Sequence, residues 1–327
     1  MPDAPGNESR RHHPVTIFLR GMAMGAADVV PGVSGGTIAF ITGIYFRLLE
    51  AISAAPAAIF RHLLKGQVRC FWQAVDGNFL VLLLAGIVTS IATLASLITW
   101  LLAEHPILIW SFFFGLILAS VWHVGSQVRR YSPTLLIPLV LGIIIAWWIT
   151  TLPASEVAPS GLVFLGAGAL AICAMILPGV SGSFLLLVIG MYGPVLAAIK
   201  NVEVGHLVLF LLGCVVGLLS AAKLITLAFR HYHDAVLALL TGFMVGALAK
   251  VWPWQKTLSW RTNSAGEQVP VSQTPVSPDT WASVYQQEPL VLSAILMIGL
   301  GFVLVLILDL AGRRSAGSSD NLNAENG

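Results

Sequence analysis

Six stretches of this chain run for close to twenty residues or more with hardly a charge: 79–103, 106–124, 134–151, 205–229, 235–252 and 289–309. Helices of about that length and polarity span a bilayer. Composition agrees, since 57% of the 327 residues are hydrophobic and 10% are charged, against about 25% charged in soluble domains. So few charges cannot coat a water-facing surface, which excludes a soluble enzyme and predicts an all-α polytopic membrane protein. A net charge of +2 with no basic run interleaved with aromatics argues against nucleic acid as a partner. Cys70, Cys173 and Cys214 lie in or beside apolar segments without metal spacing and read as packing residues. Residues 1–13 lack an apolar core after Arg10 and Arg11 and read as a tail rather than a cleaved signal.

Two further apolar regions, 14–53 and 160–199, are each interrupted by a Pro-Gly-Val-Ser-Gly string, which a continuous helix does not tolerate. The interruptions are copies. PGVSGGTIAFITGIYFRLLEAI (31–52) aligns without gaps to PGVSGSFLLLVIGMYGPVLAAI (178–199) at an offset of 147, with ten of 22 positions identical. Weaker matches follow: Gly86 and Leu97-Ile98-Thr99 recur at an offset of 127, as does Gly115, and ProLeuValLeu at 138–141 recurs at 289–292, an offset of 151. The chain thus reads as two repeats, 14–152 and 160–310. Each holds a broken hairpin (14–53, 160–199) followed by three spanning helices. The first adds a surface helix over 54–78, where Arg61, Lys65 and Arg69 alternate with Phe60, Leu64, Phe71 and Trp72. The second adds a polar outer loop over 253–288, and the tail from 315 to 327 is expected to be disordered.

A re-entrant hairpin gives three crossings per copy, and a hairpin whose halves both span gives five. Either number is odd, so the two repeats are expected to be inverted, the plan of many secondary transporters. With both termini cytoplasmic, inner segments carry Arg10, Arg11, Arg61, Lys65, Arg69, Arg129, Arg130, Arg230, Arg313 and Arg314. Outer segments then carry Lys200, Lys250, Lys256 and Arg261, as the positive-inside rule requires.

The PGVSG breaks carry the chemistry. Each starts a half-helix whose first N–H groups lack intrahelical partners and bear the positive end of the helix dipole. Two such ends facing one another in a low-dielectric interior favour an anion. Ser34, Gly35, Gly36 and Thr37 in one copy, and Ser181, Gly182 and Ser183 in the other, are the predicted anion-binding residues. Close helix packing is the plainer explanation of such glycines, and it is preferred for Gly213/Gly217 and Gly242/Gly246. Ionisable residues inside apolar segments are costly. Asp28, three residues before the first break, and Glu50 are candidates for coupling or gating, with a proton or a sodium ion as the coupling ion. Arg47 and Glu50, three apart on one helix face, could pair, and with Arg20 they also suit snorkelling positions near the surface. Lys223 stands mid-helix with no acidic neighbour in sequence and is the predicted source of full positive charge, with Arg47. Asp309 reads as interfacial, and His105, His206, His231 and His233 as helix-end residues.

The paired motifs PGVSGGT…GIY and LPGVSGS…GMY resemble those of the bacterial polyprenyl-phosphate transporter family, and the resemblance covers residues 14–310. It implies return of undecaprenyl phosphate, the lipid carrier of cell-wall synthesis, from the outer to the inner leaflet of the cytoplasmic (inner) membrane. Carried over by position, the motif residues are Asp28, Pro31, Gly32, Ser34, Gly35, Gly36 and Thr37, then Pro178, Gly179, Ser181, Gly182 and Ser183. Met175 stands where a second acid would match Asp28. The residues themselves leave open a transporter of a small soluble anion. No cluster of acids, His and Arg has catalytic spacing, so an enzyme is not expected, nor a cofactor or metal site.

Overall fold

The structure, a computed structural model, describes residues 13–30, 33–130, 132–152, 157–262 and 268–324, with side chains described except at 260–272 and beyond 308. Pro31, Gly32, Arg10 and Arg11 lie outside the described residues. Helix α1 (Pro14–Val29) leads to the first break, then α2 (Gly35–Ile41), α3 (Tyr45–Arg61) and the short α4 (Val68–Ala74). Two long helices follow, α5 (Gly77–Glu104) and α6 (Pro106–Gly125), then α7 (Leu136–Thr151). The second half runs α8 (Gly161–Ile176), α9 (Gly182–Val188), α10 (Tyr192–Lys200) and α11 (Val204–Ala247). After a hairpin of β1 (Gln255–Thr262) and β2 (Gln268–Pro275) come α12 (Pro278–Tyr285) and α13 (Val291–Ala324). Among the described residues five helices are long and apolar enough to cross a membrane, and two bent helix pairs pass the same test jointly.

Helix α11, at 44 residues, would measure about 66 Å if straight, more than a bilayer. It breaks at Tyr232, whose φ −136° and ψ 49° match the φ −131° and ψ 50° of His105 between α5 and α6. The two residues are 127 apart, the offset read from the sequence. The tight connection is therefore the same structure in both halves, and α11 comprises two arms, 204–231 and 233–247.

Packing repeats as well. Gly21 and Gly86 bring α1 and α5 into backbone contact as Gly168 and Gly213 bring together α8 and the first arm of α11. A Cβ at any of these four glycines would strike a facing carbonyl. Gly142 meets Gly242 between α7 and the second α11 arm, and Gly115 and Gly301 lie against each other's helices between α6 and α13. Exchanging the halves thus maps each contact onto another. It also equates Gly142 with Gly301, an offset of 159. The ProLeuValLeu match at offset 151 is not the structural equivalence; it aligns two apolar helix starts of similar composition.

Several expectations require correction. Each apolar hairpin breaks twice. After PGVSG and one short helix, Gly43 (φ 72°) and Gly190 (φ 73°) adopt a left-handed conformation that glycine alone takes without strain. The N–H of Ile44 then reaches Ala39 O at 3.0 Å, and that of Met191 reaches Leu186 O at 2.9 Å. The chain turns by 117° and 106° at these points. The expected surface helix 54–78 is not one element: α3 continues to Arg61 and α4 is separate, with a 3-10 turn at Leu63–Lys65 between them. Residues 253–288 are not a plain loop, because β1 and β2 pair antiparallel there; the other elements of the described chain are helical, as expected. Trp254 and Trp281 pack beneath the hairpin with Ile107 and Ala294. Helix α13 runs on through Ala324 where a disordered tail was expected. Finally, Arg47 pairs with Asp76 rather than with Glu50.

Candidate functional site

Ser34 and Thr37 of the first PGVSG copy touch the second copy at buried positions. Thr37 is fully buried, and its Oγ1 accepts the Gly179 N–H at 3.0 Å. Ser34 Oγ donates to Met175 O at 3.0 Å and accepts the Gly36 N–H at 3.1 Å. Gly36 lies against the carbonyls of Met175 and Ile176, leaving no room for a side chain. The remaining N–H at the head of α2, that of Gly35, is taken by Asp28 Oδ1 at 2.7 Å. An internal carboxylate thus closes the first half-helix end, an arrangement favoured by the dipole. At α9, Ser181 and Ser183 share a hydroxyl hydrogen bond of 3.0 Å, and the Phe184 N–H points to Ser181 Oγ at 3.5 Å. Met175 lies against Gly182 as Asp28 lies against Gly35, but brings no acceptor.

Arg47, Glu50 and Lys223 lie elsewhere. They line an open cavity of about 990 Å³ formed by the beginnings of α1 and α5, the middle of α3 and the end of the first α11 arm. Asp76, Asn78, Thr226 and Arg230 complete its polar wall, while Ile17, Phe79, Leu82 and Leu227 supply an apolar one. Arg47 Nε donates to Asp76 Oδ2 at 2.6 Å, and its guanidinium lies 4.3 Å from the centre of the Phe79 ring. That geometry consumes one edge of the fork and leaves Nη1 buried with no acceptor. Thr226 Oγ1 is in the same condition, as is Nη1 of Arg20, one turn along α1 from Ile17 and within electrostatic reach of Arg47. Buried donors without acceptors cost about 1–3 kcal/mol each. Two of them, at Arg47 and Thr226, line the cavity with Lys223 and Arg230 and describe a place for a multivalent oxyanion.

The predicted residues therefore occupy separate positions. Ser34 and Thr37 join the first copy to the second by hydrogen bonds, Gly35 and Gly36 are bonded within the first copy, Ser181 and its neighbours head α9, and Arg47, Lys223 and Glu50 face the cavity. Sequence reasoning did not single out Thr226, Arg230 or Asp76 for this cavity. Lys223, Thr226 and Arg230 recur at spacings of three and four, which places them on one helix face, and that was the legible signal.

Comparison with known proteins gives a consistent picture. The VCA0040-like family, described as undecaprenyl phosphate translocase-like, matches residues 24–269. A polyprenyl-phosphate transporter of Vibrio cholerae is 50% identical over 295 residues, 90% of this chain and 96% of that protein. A polyprenyl-phosphate transporter of Staphylococcus aureus is 34% identical over 254 residues, 72% of this chain and 85% of that one. No solved structure matches the chain significantly.

Proposed function

The chain belongs to the undecaprenyl phosphate translocase-like family, and from that premise we propose that it carries undecaprenyl phosphate, or a related polyprenyl phosphate, from the outer to the inner leaflet of the bacterial inner membrane. It is a transporter and not an enzyme, as its relatives are named. The observation that carries the reading is the cavity beside Arg47, Lys223 and Arg230, with its orphan donors at Arg47 and Thr226. A monophosphate bears between one and two negative charges, and a helix end supplies only about half a charge. Full cations are needed, and here they are held beside apolar walls.

The tail of such a lipid must remain in hydrocarbon while its head is bound. Leu227 lines the cavity and is 52% exposed, Leu224 is 68% exposed, and on the other flank Val81 and Leu84 are 51% and 59% exposed. Lipid-facing apolar surface on both sides supports a lateral opening between α5 and the first α11 arm. The repeats are taken as inverted, with both termini cytoplasmic and the cavity on the cytoplasmic side. Ser34 to Thr37 and Ser181 to Ser183 then form the central passage through which the head group moves, with Asp28 as its gating carboxylate and Glu50 as that of the cavity. The exchange of packing contacts between the halves, and the bias of Lys and Arg, support that arrangement.

Reconstituted proteoliposomes with a fluorescent short-chain polyprenyl phosphate test the proposal. Arg47→Gln and Lys223→Met should each weaken head-group binding more than tenfold, about 1.4 kcal/mol, with correct folding shown by unchanged elution and thermal stability. Transport of sulfate or inorganic phosphate in place of the lipid would establish a small-anion carrier instead. Normal lipid transport in both variants would remove the cavity from the pathway.

A further inference from the structure

At the opposite end of the second α11 arm from Arg230 stands a basic residue that the cavity does not use. Lys250 follows the end of the helix, and its ammonium lies 5.0 Å from the centre of the Phe184 ring. Around it a small pocket of about 20 Å³ is lined by Thr150, Gly179, Ser181 and Phe184 together with apolar atoms of α7 and α11. No acidic residue lines this pocket, and among the described residues Lys250 forms no ion pair. A largely buried ammonium without a counter-ion is unfavourable. An anion would remove that cost.

We infer that Lys250, Ser181 and Thr150 form a second phosphate-binding site, which takes the head group of a lipid monophosphate at the membrane face opposite the Arg47 cavity. This inference rests on the transport reading above and extends it to the leaflet from which the lipid is collected. The intervening arm, residues 233–247, rises about 22 Å, so the two sites are distinct and separated by most of the bilayer core. Trp147 and Trp148 on α7 are 55% and 57% exposed, one turn from Thr150. Exposed tryptophans of this kind settle at head-group depth, the level at which a lipid phosphate lies.

The pocket as it stands accommodates about one water-sized group, which suits a single phosphate oxygen reaching Lys250 while the rest of the head group remains at the surface. The equivalent of Lys250 in the first half, at the 127 offset, is His123, which is engaged with Gln127 at 2.9 Å. The lysine pocket is therefore a feature of one half alone. Its position beside Gly179, whose N–H is bound by Thr37, places it next to the junction of the two PGVSG copies.

Equilibrium titration of the purified full chain with geranylgeranyl monophosphate decides the matter. The wild type should bind two molecules per chain. Lys250→Gln should bind one, Lys250→Arg should restore the second, and the double variant Arg47→Gln/Lys223→Met should lose the other site. Two sites in Lys250→Gln, alongside loss in the double variant, would overturn the inference and leave the transport reading standing. Absence of specific binding in the wild type would overturn both. Inorganic phosphate should compete poorly at the Lys250 site. Competition at equal concentration would identify a free-phosphate site and overturn the lipid assignment. If Lys250→Gln were to unfold, protection of the pocket settles the question with Lys250 in place: in a Cys70→Ser background, Thr150→Cys should be shielded from an impermeant thiol reagent by the lipid phosphate, and unchanged labelling would overturn the site.

Discussion

Asp28 Oδ1 accepts the Gly35 N–H at 2.7 Å, so the first half-helix already holds an anion, one built into the chain. A phosphate approaching that helix end must displace a carboxylate or coexist with it. This is the physical basis for assigning Asp28 a gating role. Asp28→Asn keeps an acceptor for Gly35 and removes the charge. Folding should be retained, with a stability loss of about 1 kcal/mol from the weaker interaction with the helix end. Transport should fall at least tenfold, and its rate should not vary with pH or sodium concentration in the variant. Wild-type rates across a range of both conditions would reduce Asp28 to a structural cap.

The bond from Gly179 to Thr37 ties the two halves together at a fully buried position. Thr37→Val preserves volume and leaves the Gly179 N–H without an acceptor, which costs about 1–3 kcal/mol. A lower midpoint of thermal unfolding in detergent is expected. Thr37→Ser, which retains the hydroxyl, should recover most of it. Equal stability of the valine and serine variants would show that water replaces the threonine oxygen.

Much of this architecture was legible because membrane helices announce themselves by length. The span read as 106–124 is Pro106–Gly125, and the interruption read between 229 and 235 is the break at Tyr232. The duplication was legible through PGVSG, and each copy is followed by a seven-residue helix and a left-handed glycine, Gly43 or Gly190. What escaped was structure set by single residues or by distant partners. Gly43 looked like part of an apolar helix, yet its φ of 72° ends α2. The segments KTLSWRT and QVPVSQTP were read for polarity, not for the β-branched and aromatic content that pairs them as strands. Arg47 found Asp76, 29 residues away, rather than the Glu50 that local spacing offered. Helix-face arithmetic cannot see a partner on another helix.

Orientation is testable independently of the substrate. In a Cys70→Ser background, Ser272→Cys in β2 should react with an impermeant thiol reagent added to intact cells, and Ser318→Cys should react only after permeabilisation. The expectation follows from the excess of Lys and Arg on segments assigned to the cytoplasmic side. Labelling of the tail and protection of the hairpin in intact cells would invert the topology and exchange the leaflets assigned to the two phosphate sites.

The Arg47–Asp76 pair makes the sharpest prediction about affinity, because the carboxylate and the substrate compete for one guanidinium. With Asp76 in place, Arg47 offers a phosphate the edge bearing Nη1 while Nε stays engaged. Both partners are partly exposed, at 30% and 38%, so the ion pair itself contributes little stability. Asp76→Asn removes one of two acidic groups from a cavity with three basic ones and frees the guanidinium for bidentate contact, the geometry in which arginine binds phosphate most strongly. Binding of a short-chain polyprenyl phosphate should therefore tighten several-fold in Asp76→Asn, and its release, followed by stopped-flow fluorescence, should slow in proportion. Net transport should fall although affinity rises, because a carrier that holds its cargo more firmly returns it more slowly. The double variant Arg47→Gln/Asp76→Asn should show no such gain, since the freed donor is absent. Weaker binding in Asp76→Asn alone would mean that the carboxylate positions Arg47 for the phosphate instead of competing with it.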